Sequence, residues 1–441
     1  MEKMAFLSKI PGIGGTLKQS AEDFRVEEIM ADGTVLEAGK REYAGYTNIS
    51  ANGGGSGGTS NWGGGDPLRG SDFTWFVLEK KNWNTMQVIR EISRRCGSGV
   101  KRFSYAGTKD RNAHTTQLCS AWKIPCEKLM QVKIKDVQIN ACWSAKDKVS
   151  MGGLAGNRFY IRVNGADEGA GEIVEKIRSE LASEASQFPV VPNYFGEQRF
   201  GSARMNTHLV GRHICKGEFK EAVENYLFYT DEGERNQQAV EARKRLGEER
   251  DYKKALEYFP RILDYEIMML RHLANNPTDY VNALRKIPRG LSLMFVHSYQ
   301  SYLFNKILEK RVRERNFDEA MEGEYYCEIG AGGFPDSEIR VEAGTESGFS
   351  FVVTQIPGYE TEKLNETEKE VFEEEGITQK NFHIKSFPEI SAKGSVRTLM
   401  TPLVSFEFNG NGGKNEFRFD LQSGAYATVA LREFLEKEKE N

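Results

Sequence analysis

Residues 104–117 read Ser104-Tyr-Ala-Gly-Thr-Lys-Asp-Arg-Asn-Ala-His-Thr-Thr-Gln117. The stretch opens on small residues that let a backbone bend closely. It then sets one carboxylate, Asp110, between two cations, Lys109 and Arg111, and closes on hydroxyls and an amide. Opposite charge within ~4–6 Å favours the ionised form of a carboxylate, and an ionised carboxylate serves as a nucleophile or a base. The same four residues, Lys-Asp-Arg-Asn, also read as a solvated turn, because Asp and Asn bond their own backbone there. What lies upstream sets the context. Thr74-Trp-Phe-Val-Leu-Glu79 has the pattern of a buried strand. Asn84 or Thr85 then caps a helix with Met86, Ile89 and Ile92 on one face, Arg94 and Arg95 in its last turn and Gly97 at its end. Arg102-Phe-Ser-Tyr-Ala106 is a second strand that delivers the chain into Gly107. Strand, helix, strand and polar loop form half of an α+β sandwich, and loops at strand ends carry function often.

The whole chain bounds what that loop can serve. Its 441 residues exceed one typical domain. Hydrophobic residues make up 39% and charged residues 28%, the balance of a soluble protein with sizeable cores. No run approaches the ~18 apolar residues a membrane helix requires, and the start lacks the apolar region of a secretory signal, so a cytoplasmic protein is expected. Cys96, Cys119, Cys126, Cys142, Cys215 and Cys327 form no Cys-x-x-Cys and have no histidine cluster beside them, which argues against a zinc site. In a reducing compartment they read as buried free thiols. The net charge of -4 is not that of a uniformly basic nucleic-acid binder. The acid is concentrated at 360–375 and 433–440, however, and Arg94, Arg95, Lys101, Arg102, Lys109, Arg111, Arg199, Arg204, Arg212 and Lys216 leave room for a basic face.

Outside the central loop, Phe24 and Val26 mark a short strand within 17–29. Gly12, Gly14 and Gly15 precede it without the Gly-Lys-Ser/Thr of a phosphate loop. The Gly-, Ser- and Asn-rich 44–70 cannot bury enough surface to offset chain entropy and is expected to be a flexible loop. Gly156-Asn-Arg-Phe-Tyr-Ile-Arg-Val163 alternates, with Phe159, Ile161 and Val163 on one face. A helix is expected at about 170–186. From about 205 to 315 the pattern is helical, and the mixed-sign run 241–254 reads as a solvated helical face. Strand pattern returns at 340–356 and 415–421, with a helical or loose acidic segment at 360–376 and a last helix at 426–439. A chain that begins and ends in sheet and is helical between fits one domain interrupted by another.

Several stretches together resemble the TruD pseudouridine synthases, which convert a tRNA uridine, position 13 in the best-known members, to pseudouridine. They are Glu22-Asp-Phe-Arg-Val-Glu27, Leu78-Glu-Lys-Lys-Asn82 with Thr85, Tyr105 to Gln117 as quoted above, and Gly156-Asn-Arg-Phe159. The others are Val191-Pro-Asn-Tyr-Phe-Gly-Glu-Gln-Arg-Phe-Gly201, Ser298-Tyr-Gln-Ser-Tyr-Leu-Phe-Asn305 and Ser423-Gly-Ala-Tyr-Ala-Thr-Val-Ala-Leu-Arg-Glu433. They span nearly the whole chain, and the third and fifth are long and specific. The resemblance implies an α+β fold: a pseudouridine-synthase catalytic domain, residues 1–197 plus 396–441, with a mixed, largely antiparallel sheet. It also implies an inserted α/β TRUD domain, 198–395, and a basic cleft for RNA between the two. It places the catalytic carboxylate on Asp110, a base-stacking ring on Phe159, a base- or sugar-holding amide on Asn157, and further substrate-side aromatics on Phe24 and Tyr426. Some relatives carry Phe where this chain has Tyr426.

The implied reaction breaks the N1–C1′ bond of a uridine taken out of its stack, turns the uracil and rejoins it through C5. It needs no cofactor and no metal, and its partner is tRNA; a monomer, with no membrane association, is expected. Asp110 would attack or deprotonate at the sugar, and the sequence does not choose. A cation should hold its charge, either Lys109 beside it or Lys18 ahead of the first strand. Arg199 is a candidate RNA backbone contact or an internal partner. Phe159 is equally patterned as a core residue, and Phe24 and Tyr426 can be packing residues. A non-catalytic RNA-binding protein on the same scaffold is one alternative. A carboxylate hydrolase is another, although glycosidases use two carboxylates and this loop offers one.

Overall fold

The computed structural model describes residues 4–43, 72–150, 152–182, 188–201, 203–341, 350–410 and 414–439. Its strands, in chain order, are β1 (Phe24–Met30), β2 (Phe73–Lys81), β3 (Phe103–Tyr105), β4 (His114–Trp122), β5 (Val137–Ala145), β6 (Leu154–Val163), β7 (Val190–Pro192), β8 (Tyr325–Glu328), β9 (Ser350–Ile356), β10 (Ser395–Thr398), β11 (Met400–Pro402), β12 (Val404–Asn409) and β13 (Asn415–Gln422). Eight of them form one sheet in the order β12-β13-β6-β1-β4-β2-β5, with β3 also paired to β4. Within it only β1 and β4 run parallel; the other pairings are antiparallel. The α+β class with a mixed, largely antiparallel sheet is therefore observed. A three-stranded sheet, β10-β9-β8, and the β11-β7 pair lie apart from it.

The alternation of β6 does what a period of two requires. Phe159, Ile161 and Val163 are buried, and the register sets them opposite Val26 and Phe24 of β1 on one side and Phe419, Phe417 and Asn415 of β13 on the other. β4 is buried from His114 to Ala121, as expected of a strand covered on both faces. At Gly156 the sheet leaves no room for a side chain: a Cβ there would lie 2.2 Å from the Leu421 carbonyl oxygen across the β6–β13 ladder.

Helices fill 207–313, beginning with Thr207–Lys216 and ending with Arg289–Arg313. The last of these serves two cores. Phe304, Leu308 and Val312 pack with Phe159, Phe419 and Phe351, whereas Phe295, Tyr299 and Leu303 pack with the other helices. Gly211 lets the first helix lie against it, since a Cβ there would meet the Phe295 carbonyl at 2.0 Å. At its far end Arg311 is wholly buried and bonds Glu324, 2.8 and 2.9 Å from its two oxygens.

Four expectations need correction. The run 241–254 is not a uniformly solvated face: Arg243 is buried on the side of Ala239, Ala242 and Leu246, where Glu234 and Glu266 compensate its charge. Not all cysteines are free, because the helix Cys126–Met130 brings Cys126 to Cys142 of β5, with Cα atoms 5.8 Å apart and the sulfurs paired as a disulfide. Cys96, Cys119, Cys215 and Cys327 are free and buried. The expected helix at 426–439 is two short turns, Ala427–Ala430 and Arg432–Leu435. Its continuation is blocked because the backbone N–H groups of Gly12, Ile13 and Gly14 bond the carbonyls of Glu436, Phe434 and Leu435. Those glycines thus cradle the chain's own carbonyls; a Cβ at Gly12 would sit 2.5 Å from the Leu435 carbonyl carbon. The helix expected to reach about 186 ends at Leu181. The Gly-rich 44–70 lies outside the described residues.

Gly156→Ala is expected to destabilise the fold by at least the ~1–3 kcal/mol of an overpacked core, because the obstructing atom is backbone and cannot rotate away. A lowered guanidinium midpoint with an unchanged slope checks it.

Candidate active site

Residues 106–113 form no helix or strand, yet three elements pin them. Asn84 caps the helix Thr85–Arg95 by accepting from Met86 N–H at 2.9 Å. That leaves the Thr85 hydroxyl free to accept the Lys109 N–H at 3.1 Å and to donate to Gln117 Oε1 at 3.0 Å. Gln117, on β4, returns its amide to the Gly107 carbonyl at 3.0 Å. Below the loop, Lys80 of β2 is wholly buried and donates its ammonium to the Asp110 carbonyl at 2.8 Å. Burial pushes this lysine down to about 8; Asp110 pulls it back up and Lys109 adds to the fall.

The two cations in question separate here. Lys18 pairs with Asp110, Nζ to Oδ2 at 2.6 Å, and the Asp110 side chain keeps 32% of its surface exposed. Lys18 reaches it from a left-handed backbone, φ 60°, a conformation that costs a non-glycine residue ~1–3 kcal/mol and concentrates at functional sites. Its ammonium also lies 4.0 Å from the centroid of the Phe24 ring. Lys109 is not a partner of the Asp110 carboxylate. Neighbours along an irregular backbone point apart, and Lys109 is drawn down to β1, where its Nζ lies 2.7 Å from Glu28 Oε1 and 2.7 Å from Asn157 Oδ1. Glu28 Oε2 in turn accepts the Leu118 N–H at 2.7 Å. Gln198 approaches Asp110 Oδ1 at 3.5 Å.

Beside this polar group lies an aromatic one. Phe159 stacks on Phe419 at 5.7 Å between centroids, and Phe24 meets it edge-on at 6.1 Å. Both Phe24 and Phe159 are buried, so they are core residues, with Phe24 tied to the Asp110 pair through the Lys18 ammonium. Tyr426 stands farther along, edge-on to Phe195 at 6.2 Å and against Gly196. Arg199 donates to the Ser301 hydroxyl at 2.9 Å and lies over Phe195, so its guanidinium is at least partly spent inside the protein. Arg397 lies 4.2 Å from the centroid of the Phe195 ring and donates to both oxygens of Asn193. His114 is engaged away from the loop, with Glu79 Oε1 at 2.8 Å.

Residues 1–434 match the family profile of tRNA pseudouridine synthase D (TruD). The chain belongs to the TruD family. It is 32% identical to the probable tRNA pseudouridine synthase D of Methanosarcina acetivorans, over 96% of this chain and 93% of that one. Against the corresponding protein of Methanopyrus kandleri it is 37% identical, over 83% and 86%. The crystal structure of the Methanosarcina mazei TruD protein superposes with a TM-score of 0.71 at 31% identity, covering 98% of this chain and 95% of that chain. This TruD protein is thus a tRNA pseudouridine synthase, an isomerase that converts uridine to pseudouridine in tRNA. Among the described residues no helix is long and apolar enough to cross a membrane.

Of the residues expected from sequence, Asp110, Lys18, Phe24, Phe159, Asn157 and Lys109 converge. Tyr426 and Arg199 meet at Phe195. Sequence reading missed Lys80, Glu28, Gln198 and Arg397. One signal was present: Glu28 occupies the place in the period Phe24, Val26, Glu28, Met30 where an apolar side chain belongs.

Lys80 makes stability pH-dependent. The folded protein releases this proton at about 8, below the unfolded value of 10.5. Between those limits the unfolded chain binds more protons, so stability rises with pH across the window and falls again as pH drops to 8. Lys80→Met should remove that slope, measured by urea unfolding from pH 8 to 10.5. An unchanged slope would show that this lysine titrates normally.

Proposed function

We propose that Asp110 is the nucleophile of this enzyme and that its substrate is the uridine at position 13 of tRNA. The observation that carries the reading is the half-buried Asp110 carboxylate held by Lys18 at 2.6 Å beside the Phe24–Phe159 wall. A loop pinned from β2, β4 and a helix start orients that carboxylate with little freedom to lose, which is where positioned nucleophiles gain rate. The target uridine leaves its stack at a cost of a few kcal/mol. Its uracil then rests against Phe159, an aromatic contact worth ~1–3 kcal/mol.

Asp110 acts at C1′ of the sugar. The N1–C1′ bond breaks, the detached uracil turns while Phe159 and Asn157 hold it, and C5 bonds to C1′. Loss of the C5 proton restores the ring, and N1 takes up a proton, so the product is an isomer and no atoms are left over. Lys18 holds the carboxylate in place throughout. Glu28 does not offer a second acid in the manner of a glycosidase, since one oxygen faces Lys109 and the other a backbone N–H.

The same reading divides the chain into a catalytic domain, 1–197 plus 396–441, and an inserted TRUD domain, 198–395, with tRNA held between them on a basic surface. Tyr426 and Arg199 then border the RNA-facing side, with the enzyme acting as a cytoplasmic monomer without metal or cofactor. The long helix Arg289–Arg313 supports a firm junction, because its residues enter both cores.

Asp110→Asn should fold and bind tRNA with unchanged affinity while pseudouridine formation, read as tritium release from 5-tritiated uridine, falls by more than ~1,000-fold. Turnover at the parent rate would overturn the assignment. Lys18→Met should lower kcat by ~100-fold or more with little change in KM, because the cation acts on the reacting carboxylate and not on the bound RNA.

A further inference from the structure

Lys109 was one of two candidate partners for Asp110, and its actual partners give it a different task. Its ammonium carries only donors. The atom of the Asn157 amide that faces it at 2.7 Å must therefore be the oxygen. The orientation of that amide is set by chemistry and not by fit, so the NH2 group is turned the other way. The cation cannot drift. Its side chain is 8% exposed and that of Glu28 is 1% exposed, and Glu28 is itself tied to the Leu118 N–H of β4. Glu28 and Asn157 are direct cross-strand partners in the β1–β6 ladder. Among the described residues the Asn157 Nδ2 has no hydrogen-bond partner, although Asn157 is only half-exposed. Asn157 shares its face of β6 with Phe159, two residues on, the ring assigned to the uracil. A donor pair not engaged by the described residues thus stands on the face of β6 that carries Phe159.

We infer that the Glu28–Lys109 pair positions Asn157 so that its amide NH2 reads the O4 carbonyl of uracil and rejects cytosine. The inference rests on reading the Asp110 loop as the active site. Uracil offers an oxygen acceptor at C4, whereas cytosine offers an amino donor there. Donor against donor leaves two polar groups unpaired in a half-buried cleft, which is how sites built on hydrogen bonds discriminate. Lys109 and Glu28 touch no substrate in this account; they are positioning residues, and Asn157 is the group in contact.

The test uses the full-length Asp110→Asn protein and two tRNA transcripts that differ only in carrying U or C at the target position. Dissociation constants are measured by fluorescence anisotropy. The expected result is a preference for U of ~10-fold or more. Asn157→Asp, added to that background, replaces the donor by an acceptor of the same shape and should abolish or invert the preference. Lys109→Met frees the amide to turn and should reduce it several-fold. Glu28→Gln keeps one oxygen where Lys109 and the Leu118 N–H each need one, so it should also reduce the preference. Asn157→Asp is isosteric, so it keeps the test valid if Lys109→Met fails to fold. Equal affinity for U and C in the Asp110→Asn protein, or a U/C ratio untouched by Asn157→Asp, would overturn the inference. Failure of the nucleophile assignment has a separate sign: the Asp110→Asn protein would then turn over uridine, whatever its U/C ratio.

Discussion

A carboxylate on the inner face of a central strand has to be neutralised where it stands, and Glu28 is such a group, 1% exposed in β1. Leaving an ion of this kind unpaired costs several kcal/mol. Lys109 answers it, and the geometry of the site follows. Because Lys109 reaches Glu28 of β1, the loop from Gly107 is tied to β1 as well as to Gln117 of β4. Asp110, the next residue, is then left at the surface. It meets Lys18, which comes from the other side of Phe24. The buried pair thus sorts two adjacent charged residues into different surroundings, Lys109 inside and Asp110 partly open to solvent. Thr85, Gln117 and Lys80 hold the backbone in between.

The aromatic side of the site obeys a different constraint. Phe24, Phe159 and Phe419 belong to one continuous core that also takes in Phe304 and Leu308 of the long helix and Phe351 of β9. The wall proposed to take the base is therefore backed by residues from several parts of the chain. This favours rigidity of the Phe24–Phe159 wall. The polar and aromatic halves meet on β6, whose alternation puts Asn157 and Phe159 on one face with a single residue between them.

Much of this was legible from the order of residues. The alternation of β6 and β13, the caps of the helix Thr85–Arg95, the helical character of 205–315 and the single carboxylate of residues 104–117 are local patterns, and each is carried by local physics. The motifs spread along the chain resembled one family, and that resemblance led to Asp110, Asn157 and Phe159. What was not legible depends on contacts between residues far apart in sequence. Lys109 and Lys18 were equivalent candidates for Asp110, because sequence distance says nothing about where a long side chain ends. Arg243 looked solvated among its charged neighbours until Glu234 and Glu266 were brought to it. Cys126 and Cys142 gave no pairing signal, and nothing in residues 12–14 announced that their N–H groups hold the carbonyls of residues 434–436.

By itself, then, the sequence determined the strands and helices, the α+β class and the family, because periodicity, capping and motif are properties of neighbours. Tertiary structure alone decided which cation meets Asp110, which way the Asn157 amide faces and why Lys80 is buried. Those are questions of charge pairing in a low-dielectric interior, where a partner is selected by the fold's geometry and not by its distance along the chain.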